Sequence, residues 1–186
     1  MAKMKDKKTK ENKSLVFTGR ECAYAAIFVA LTIAAQLALS AIPGVEIVTL
    51  LFVAYAFTLG AARGMICATA FSLIRQLIFG FYPTVLILYL VYYNLLCIVF
   101  GFLGKYIKEP VKFLWVIVVV ACVCTILFTI IDGIITPLWY GYTMRAMEIY
   151  FKASLGFMLL QIICTALTVA LLFLPLRKIL LICIKK

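Results

Sequence analysis

From Cys22 onward, long apolar runs are interrupted only by short polar, glycine or proline segments. These interruptions predict six apolar segments: Cys22–Ile42, Glu46–Gly60, Gly64–Phe79, Thr84–Gly104, Phe113–Pro137 and Lys152–Leu174. A helix perpendicular to a bilayer needs about 20 residues to cross its hydrocarbon core. The second and third segments are shorter than that, so we expect either two short spans or a hairpin that enters the membrane and returns.

The composition agrees with this pattern. Of the 186 residues, 67% are hydrophobic, and the mean hydropathy of +1.17 is too high for a soluble domain of this size. We therefore expect an all-α membrane protein, a bundle of six transmembrane helices. Residues 1–20 are expected to form a basic cytoplasmic tail, residues 21–178 the membrane domain that binds substrate, and residues 179–186 a basic cytoplasmic end. The lysine-rich tail is typical of a segment near anionic lipid, and we expect no nucleic-acid partner.

The basic residues predict the orientation. With six spans, fifteen Lys and Arg side chains fall on the side of the two termini, and only Arg145 and Lys152 fall on the other side. Lys and Arg accumulate on the cytoplasmic side of membrane proteins. Both termini are therefore predicted to be cytoplasmic, in the plasma membrane of a bacterial cell. The outer loops are then Pro43–Val45, Gly80–Pro83 and Leu138–Phe151.

Most of the unusual polarity inside the spans falls in their predicted outer halves. Tyr89, Tyr92 and Tyr93 share one helix face through their i, i+3, i+4 spacing. Charged side chains within a span normally face a partner or a cavity, which applies to Arg75 and Asp132. We expect an outward-facing substrate site that draws on Gln36, Glu46, Arg75, Tyr82, Tyr89, Tyr92, Tyr93, Asp132, Trp139 and Tyr140.

Simpler interpretations of the same residues stay open. Arg75 can snorkel to the headgroups, and Trp139, Tyr140 and Tyr142 can form an aromatic belt at the interface. Arg75 and Asp132 have opposite signs and similar depths, so a purely structural ion pair between them is an equal alternative to contact with a ligand.

A row of alanines follows one face of the first helix. Small residues at three- and four-residue steps let another helix approach closely. The row predicts either packing inside the bundle or docking of an outside partner. Its members are Ala23, Ala26, Ala30, Ala34 and Ala38.

Four features together resemble the substrate-binding S-components of energy-coupling factor (ECF) vitamin transporters. They are six short spans in under 200 residues, a basic N-terminus, the AxxxA spacing of Ala26, Ala30 and Ala34, and the run from Ile42 to Pro83. That run has a proline in the first loop, a Gly60-x-x-x-Gly64 turn and an outer glycine-aromatic loop. The resemblance covers Arg20–Lys178.

The resemblance implies a function. S-components bind a vitamin or related micronutrient from outside, and the IPGVEIV loop looks nearest to members with cobalamin-type or uncharacterised substrates. The alanine motif docks onto a membrane-embedded T-component that carries two cytoplasmic ATPase subunits, and the S-component topples to release its ligand inside. The chain has no GxxxxGK[ST] phosphate loop, so ATP hydrolysis is expected on another polypeptide.

Two other functions are less consistent with the sequence. A stand-alone secondary transporter would use Asp132 as a proton or cation carrier, but such proteins usually contain internal repeats, and none is convincing here. A membrane enzyme is not expected, because the chain has no histidine and few acidic residues near its spans. The seven cysteines form no CxxC pair, so we expect no metal site, no disulfide and no cofactor.

Overall fold

The computed structural model describes residues 18–40 and 47–185, with side chains up to Cys183. These residues form six α-helices and no strand, which confirms the predicted all-α, six-helix fold. The helices are α1 Gly19–Leu39, α2 Ile47–Leu59, α3 Ala61–Phe79, α4 Pro83–Tyr106, α5 Leu114–Trp139 and α6 Met144–Lys185. The side of the membrane on which the termini lie stays a prediction from the basic residues.

Glycine and proline set the helix boundaries between α2, α3 and α4. Gly60 has a φ of 93° and alone separates α2 from α3, and Gly80 has a φ of 94° at the end of α3. Both values lie in the left-handed region that glycine adopts without a steric penalty. Pro83 occupies the first turn of α4, where its missing N–H leaves no helical hydrogen bond unmade.

The sixth helix is longer than the segment predicted for it, Lys152–Leu174. Residues 144–151 were expected in an outer loop, but α6 begins at Met144 and runs for 42 residues, past Pro175, to Lys185. At 1.5 Å per residue this helix is about 63 Å long, roughly twice the thickness of the hydrocarbon core. It therefore extends well beyond the span predicted for it. Leu138 and Trp139 likewise belong to α5 and not to the expected loop.

The short helix α2 lies at the centre of the bundle. Ten consecutive residues from Val48 to Phe57 are buried, which is possible only for a helix surrounded on all sides by others. Its sequence is apolar apart from three hydroxyl residues, Thr49, Tyr55 and Thr58, which reflects packing against protein. The other five helices are long and apolar enough to cross a membrane, so the chain is a multi-pass membrane protein.

Two glycines let α4 pack closely against the α2–α3 turn. A Cβ atom added at Gly104 would lie 2.1 Å from the carbonyl oxygen of Phe57, and one added at Gly101 would lie 2.3 Å from the backbone nitrogen of Ala61. Contacts this close require glycine. Small residues serve the same purpose in membrane helices generally, because no hydrophobic effect drives such helices together.

The helices alternate in direction, so the bundle has two chemically different ends. The end with the beginnings of α1 and α3 holds the Glu21–Arg63 ion pair, and nearby Arg177 of α6 lies over the Phe57 ring. We call it the basic end. The opposite end, which we call the aromatic end, contains the turn at Gly80 and the segment 140–143 between α5 and α6.

Candidate functional site

Arg75 is held near the aromatic end by contacts from three helices. Its Nε donates a hydrogen bond to Gln36 Oε1 of α1 at 3.1 Å, and its guanidinium lies 4.8 Å from the Phe79 ring and 4.6 Å from the Tyr89 ring. Gln36 Nε2 in turn donates to the Tyr89 hydroxyl at 3.2 Å. The predicted residues Gln36, Arg75 and Tyr89 therefore form one cluster, in which two aromatic faces support the cation.

Gln76 and Tyr82 lie next to this cluster. The backbone N–H of Tyr82 donates to Gln76 Oε1 at 3.1 Å, which ties the turn after α3 to that helix. Gln76 is only 4% exposed, and its Nε2 has no hydrogen-bond partner within residues 18–40 and 47–185. The Tyr82 side chain is exposed. Gln76 was not among the predicted site residues, although its position beside Arg75 was a signal for it.

The tyrosines of α4 face the protein interior, as their shared face predicted, but they pack mainly against other rings. Tyr92 and Tyr93 are 1% and 2% exposed. Tyr93 lies 4.9 Å from Phe52 of α2 and 5.4 Å from Phe71 of α3, measured between ring centroids. Tyr92 packs edge-on against Phe128 of α5 at 4.8 Å. These two tyrosines therefore belong to the aromatic core of the bundle.

Asp132 makes different contacts from those of Arg75. Its Oδ2 accepts a hydrogen bond from the Tyr150 hydroxyl at 2.7 Å, and its Oδ1 accepts one from Thr136 at 2.8 Å. The direct Arg75–Asp132 ion pair that the sequence left open is absent, since each group lies in a different cluster. The opposite charges and similar membrane depths of Arg75 and Asp132 suggested this pair. The rotation of α3 and α5 about their own axes, however, determines where the two side chains point.

A cavity of about 300 Å³ lies between α5 and α6 beside Asp132. Its walls combine three aromatic rings, one carboxylate and several neutral hydrogen-bonding groups, and none of the described residues that line it is basic. The lining residues are Phe128, Thr129, Asp132, Tyr150, Ala153, Ser154, Phe157 and Gln161. Of these, only Asp132 was predicted as a site residue. Both Tyr150 and Phe157 lie on α6. The sequence placed Tyr150 in an outer loop and Phe157 in the sixth span, where it was given no role.

Phe128 connects the two clusters. Its ring lies 6.2 Å from that of Tyr89, which also contacts Arg75, and the same ring lines the cavity that holds Asp132. The predicted site residues are thus grouped in adjacent places near the aromatic end. They are not gathered around one cavity.

Two further predicted substrate residues, Trp139 and Tyr140, lie outside these clusters. Trp139 and Tyr140 lie exposed at the end of α5, and Tyr140 stacks on Tyr142 at 6.1 Å. This placement is typical of an interfacial aromatic belt. Glu46, like the predicted loop Pro43–Val45, lies outside the described residues.

The alanine row of α1 is exposed along its whole length, from Ala23 to Ala38. Packing within this bundle, the alternative interpretation of the row, therefore does not use it. Between α1 and α3 lies an open, almost entirely apolar groove of about 810 Å³. Ala26, Ala30 and Ala34 line one side of this α1–α3 groove, and Ile66, Ala70 and Ile74 line the other.

No group of three or more metal-ligating side chains occurs in the described part of the chain. Cys122, Cys164 and the other cysteines are all free there. Comparison of the chain with protein-family models, with curated proteins and with solved structures gave no match. The function is therefore argued from the residues themselves.

Proposed function

We propose that the chain is the substrate-binding subunit of an ECF-type importer in the plasma membrane of a bacterial cell. It captures a vitamin or related micronutrient outside the cell. It then delivers the ligand inward together with a T-component and two cytoplasmic ATPase subunits.

The observation that carries this proposal is the exposed alanine row. Five alanines at helical spacing face outward on α1, and the helix beside them adds a second apolar wall. A helix from another membrane protein can approach such a surface closely, because alanine keeps the two backbones near each other. An S-component needs a surface of this kind, since the chain that couples it to ATP hydrolysis is a separate membrane protein.

The polar groups near the aromatic end also support the proposal. Arg75 and Asp132 lie at the end that the basic residues predict to face outward, and a cavity opens beside Asp132. A protein that captures a solute from outside requires hydrogen-bonding groups there. The ligand cavity lies between α5 and α6, while the α1–α3 groove lies on another side of the bundle, so binding and docking do not compete for the same residues.

The test begins with the ligand. The full chain is purified from a bacterial host, and any small molecule that accompanies it is identified by mass spectrometry. Uptake of that molecule, in labelled form, is then measured in proteoliposomes that contain the chain with a T-component and its two ATPases. We expect uptake that requires both ATP and the other three subunits. Uptake by the chain alone, driven by a proton or cation gradient, would instead establish the secondary transporter that uses Asp132.

Two matched variants test the docking surface. Ala30→Trp introduces a large ring into the α1–α3 groove and should abolish ATP-dependent uptake while ligand affinity stays within about twofold. Ala170→Trp makes the same change at an exposed position of α6 and should leave uptake near the wild-type rate. Equal uptake by both variants, at equal expression, would remove the groove from the mechanism.

A further inference from the structure

The cavity between α5 and α6 has the chemistry of a site for a positively charged ligand. Asp132 is a carboxylate within a membrane-spanning helix, where an uncompensated charge is unfavourable. Its two hydrogen bonds come from the neutral hydroxyls of Tyr150 and Thr136, which orient the oxygens but do not neutralise them. The ion pairs in the described residues involve other carboxylates, namely Glu21, Glu109 and Glu148.

The described residues that line the cavity are unfavourable for a negatively charged ligand. Asp132 is the one carboxylate among the described lining residues, and the others are apolar, hydroxyl or amide side chains. An anionic ligand would therefore meet a like charge and no compensating cation, which is unfavourable in a medium of low dielectric. A neutral ligand would leave the Asp132 charge uncompensated. A cation removes both difficulties.

The aromatic walls favour an organic cation over a metal ion. Phe128, Tyr150 and Phe157 line the cavity, and aromatic faces attract ammonium groups. Phe128 also packs edge-on against Tyr92, with the ring centroids 4.8 Å apart. A divalent metal ion would need several oxygen ligands around it, and Asp132 is the only carboxylate among the described residues that line the cavity.

The dimensions limit the ligand further. A volume of about 300 Å³ lies at the small end of the range of ligand-binding sites. Ser154 and Gln161 add neutral polar groups to the wall. We propose that this cavity binds a small organic amine in its cationic form, with the ammonium group on Asp132 and the carbon skeleton between Phe128 and Phe157. As an assignment of the imported substrate, this inference rests on the proposed function.

Binding of six small probes tests the proposal directly. Phenethylamine and tryptamine are cations, 2-phenylethanol and tryptophol are their neutral counterparts, and phenylacetate and indole-3-acetate are anions with the same rings. Isothermal titration of the full chain in detergent, with empty micelles subtracted, gives each affinity. We expect at least one amine to bind saturably and at least tenfold more tightly than its alcohol and its acid, a difference of about 1.4 kcal/mol.

Two variants then test whether Asp132 is the carboxylate that makes amines bind more tightly than alcohols and acids. Asp132→Asn keeps the shape of the side chain and should weaken amine binding at least tenfold while changing alcohol binding by less than twofold. Glu148→Gln removes the same charge from an exposed position of α6, where Glu148 pairs with Lys152, and should leave every affinity unchanged. Thermal unfolding of each variant checks that it is folded. If Asp132→Asn fails to fold, the comparison of the six probes on the wild-type chain still decides.

Three results would overturn the inference: no saturable binding of either amine, tighter binding of the acids or alcohols, or full amine affinity in folded Asp132→Asn. These results are distinct from failure of the proposed function. ATP-dependent uptake of a neutral or anionic solute would preserve the importer and exclude the amine. Amine binding that depends on Asp132, without any ATP-dependent uptake, would preserve the cavity assignment and exclude the importer.

Discussion

The close approach of α4 to α2 predicts that Gly104→Ala destabilises the bundle. The new methyl carbon would lie 2.1 Å from the Phe57 carbonyl oxygen and 2.9 Å from the Phe57 carbonyl carbon. Ordinary contact begins at 3.4 Å, so the two backbones must separate by roughly 1.3 Å at this point. Rotation of a side chain cannot relieve the clash, because the atoms that are struck belong to the backbone of the most buried helix.

Two opposing effects determine how much Gly104→Ala should change the free energy of unfolding. Overpacking of a close-packed interior typically costs about 1–3 kcal/mol. Replacing glycine by alanine within a helix returns about 0.5–1 kcal/mol, because alanine loses less conformational freedom. We therefore expect Gly104→Ala to lower the free energy of unfolding by about 1–2 kcal/mol.

Gly156→Ala is the matched control. It makes the same substitution within α6, where the added carbon would meet nothing within 4 Å. This variant should be as stable as the wild type or slightly more stable. Both are compared by reversible unfolding in mixed detergent micelles, with the wild type measured in parallel. Equal stability of Gly104→Ala and Gly156→Ala would show that the packing of α4 against α2 is looser than the structure describes.

Three further predictions concern orientation and polar contacts. In a background without the native cysteines, Tyr142→Cys should react with a membrane-impermeant thiol reagent in intact cells and Lys108→Cys should not; the reverse pattern would invert the topology. Tyr89→Phe removes the hydroxyl that accepts a hydrogen bond from the side-chain amide of Gln36, so it should lower the free energy of unfolding by about 1 kcal/mol. An unchanged free energy of unfolding would count against that hydrogen bond. A double-mutant cycle with Glu21→Gln and Arg63→Met should give little or no coupling energy, because both side chains are about one third exposed to solvent that screens their charges. A large coupling energy would mean that this pair is desolvated.

The number and order of the helices could be predicted from the sequence because several boundaries have a local cause. Gly60 ends one helix through its positive φ, and Pro83 begins another, so these positions are visible without knowledge of the packing. The length of α6 could not be predicted in the same way. Polarity around Arg145 and Glu148 suggested a loop, yet polar residues form a helix readily where it leaves the membrane, and Pro175 did not end it.

The sequence was enough to predict how deep in the membrane the candidate site lies, but not which of its residues contact each other. Spacing along one helix places Tyr89, Tyr92 and Tyr93 on a common face, and the structure has all three buried. Sequence cannot give the rotation of α5 relative to α3, and this rotation turns Asp132 toward α6 and Tyr150 instead of toward Arg75. Tyr150, the partner of Asp132, lies on a different helix and 18 residues away. Such a partner leaves no periodic pattern in the sequence of the helix that carries the charged residue.

The tyrosine face of α4 explains how the cavity and the groove coexist in so small a bundle. Rings in contact run from α1 to the cavity wall: Phe28, Phe52, Tyr93, Tyr92 and Phe128, with successive centroids 4.8–5.5 Å apart. The α1–α3 groove and the α5–α6 cavity share no lining residue. A large side chain placed at Ala30 therefore does not touch the cavity, and it can change the cavity only by displacing this row of rings. Because close-packed interiors resist such displacement, the proposed docking surface and the proposed ligand site can be perturbed separately by mutation.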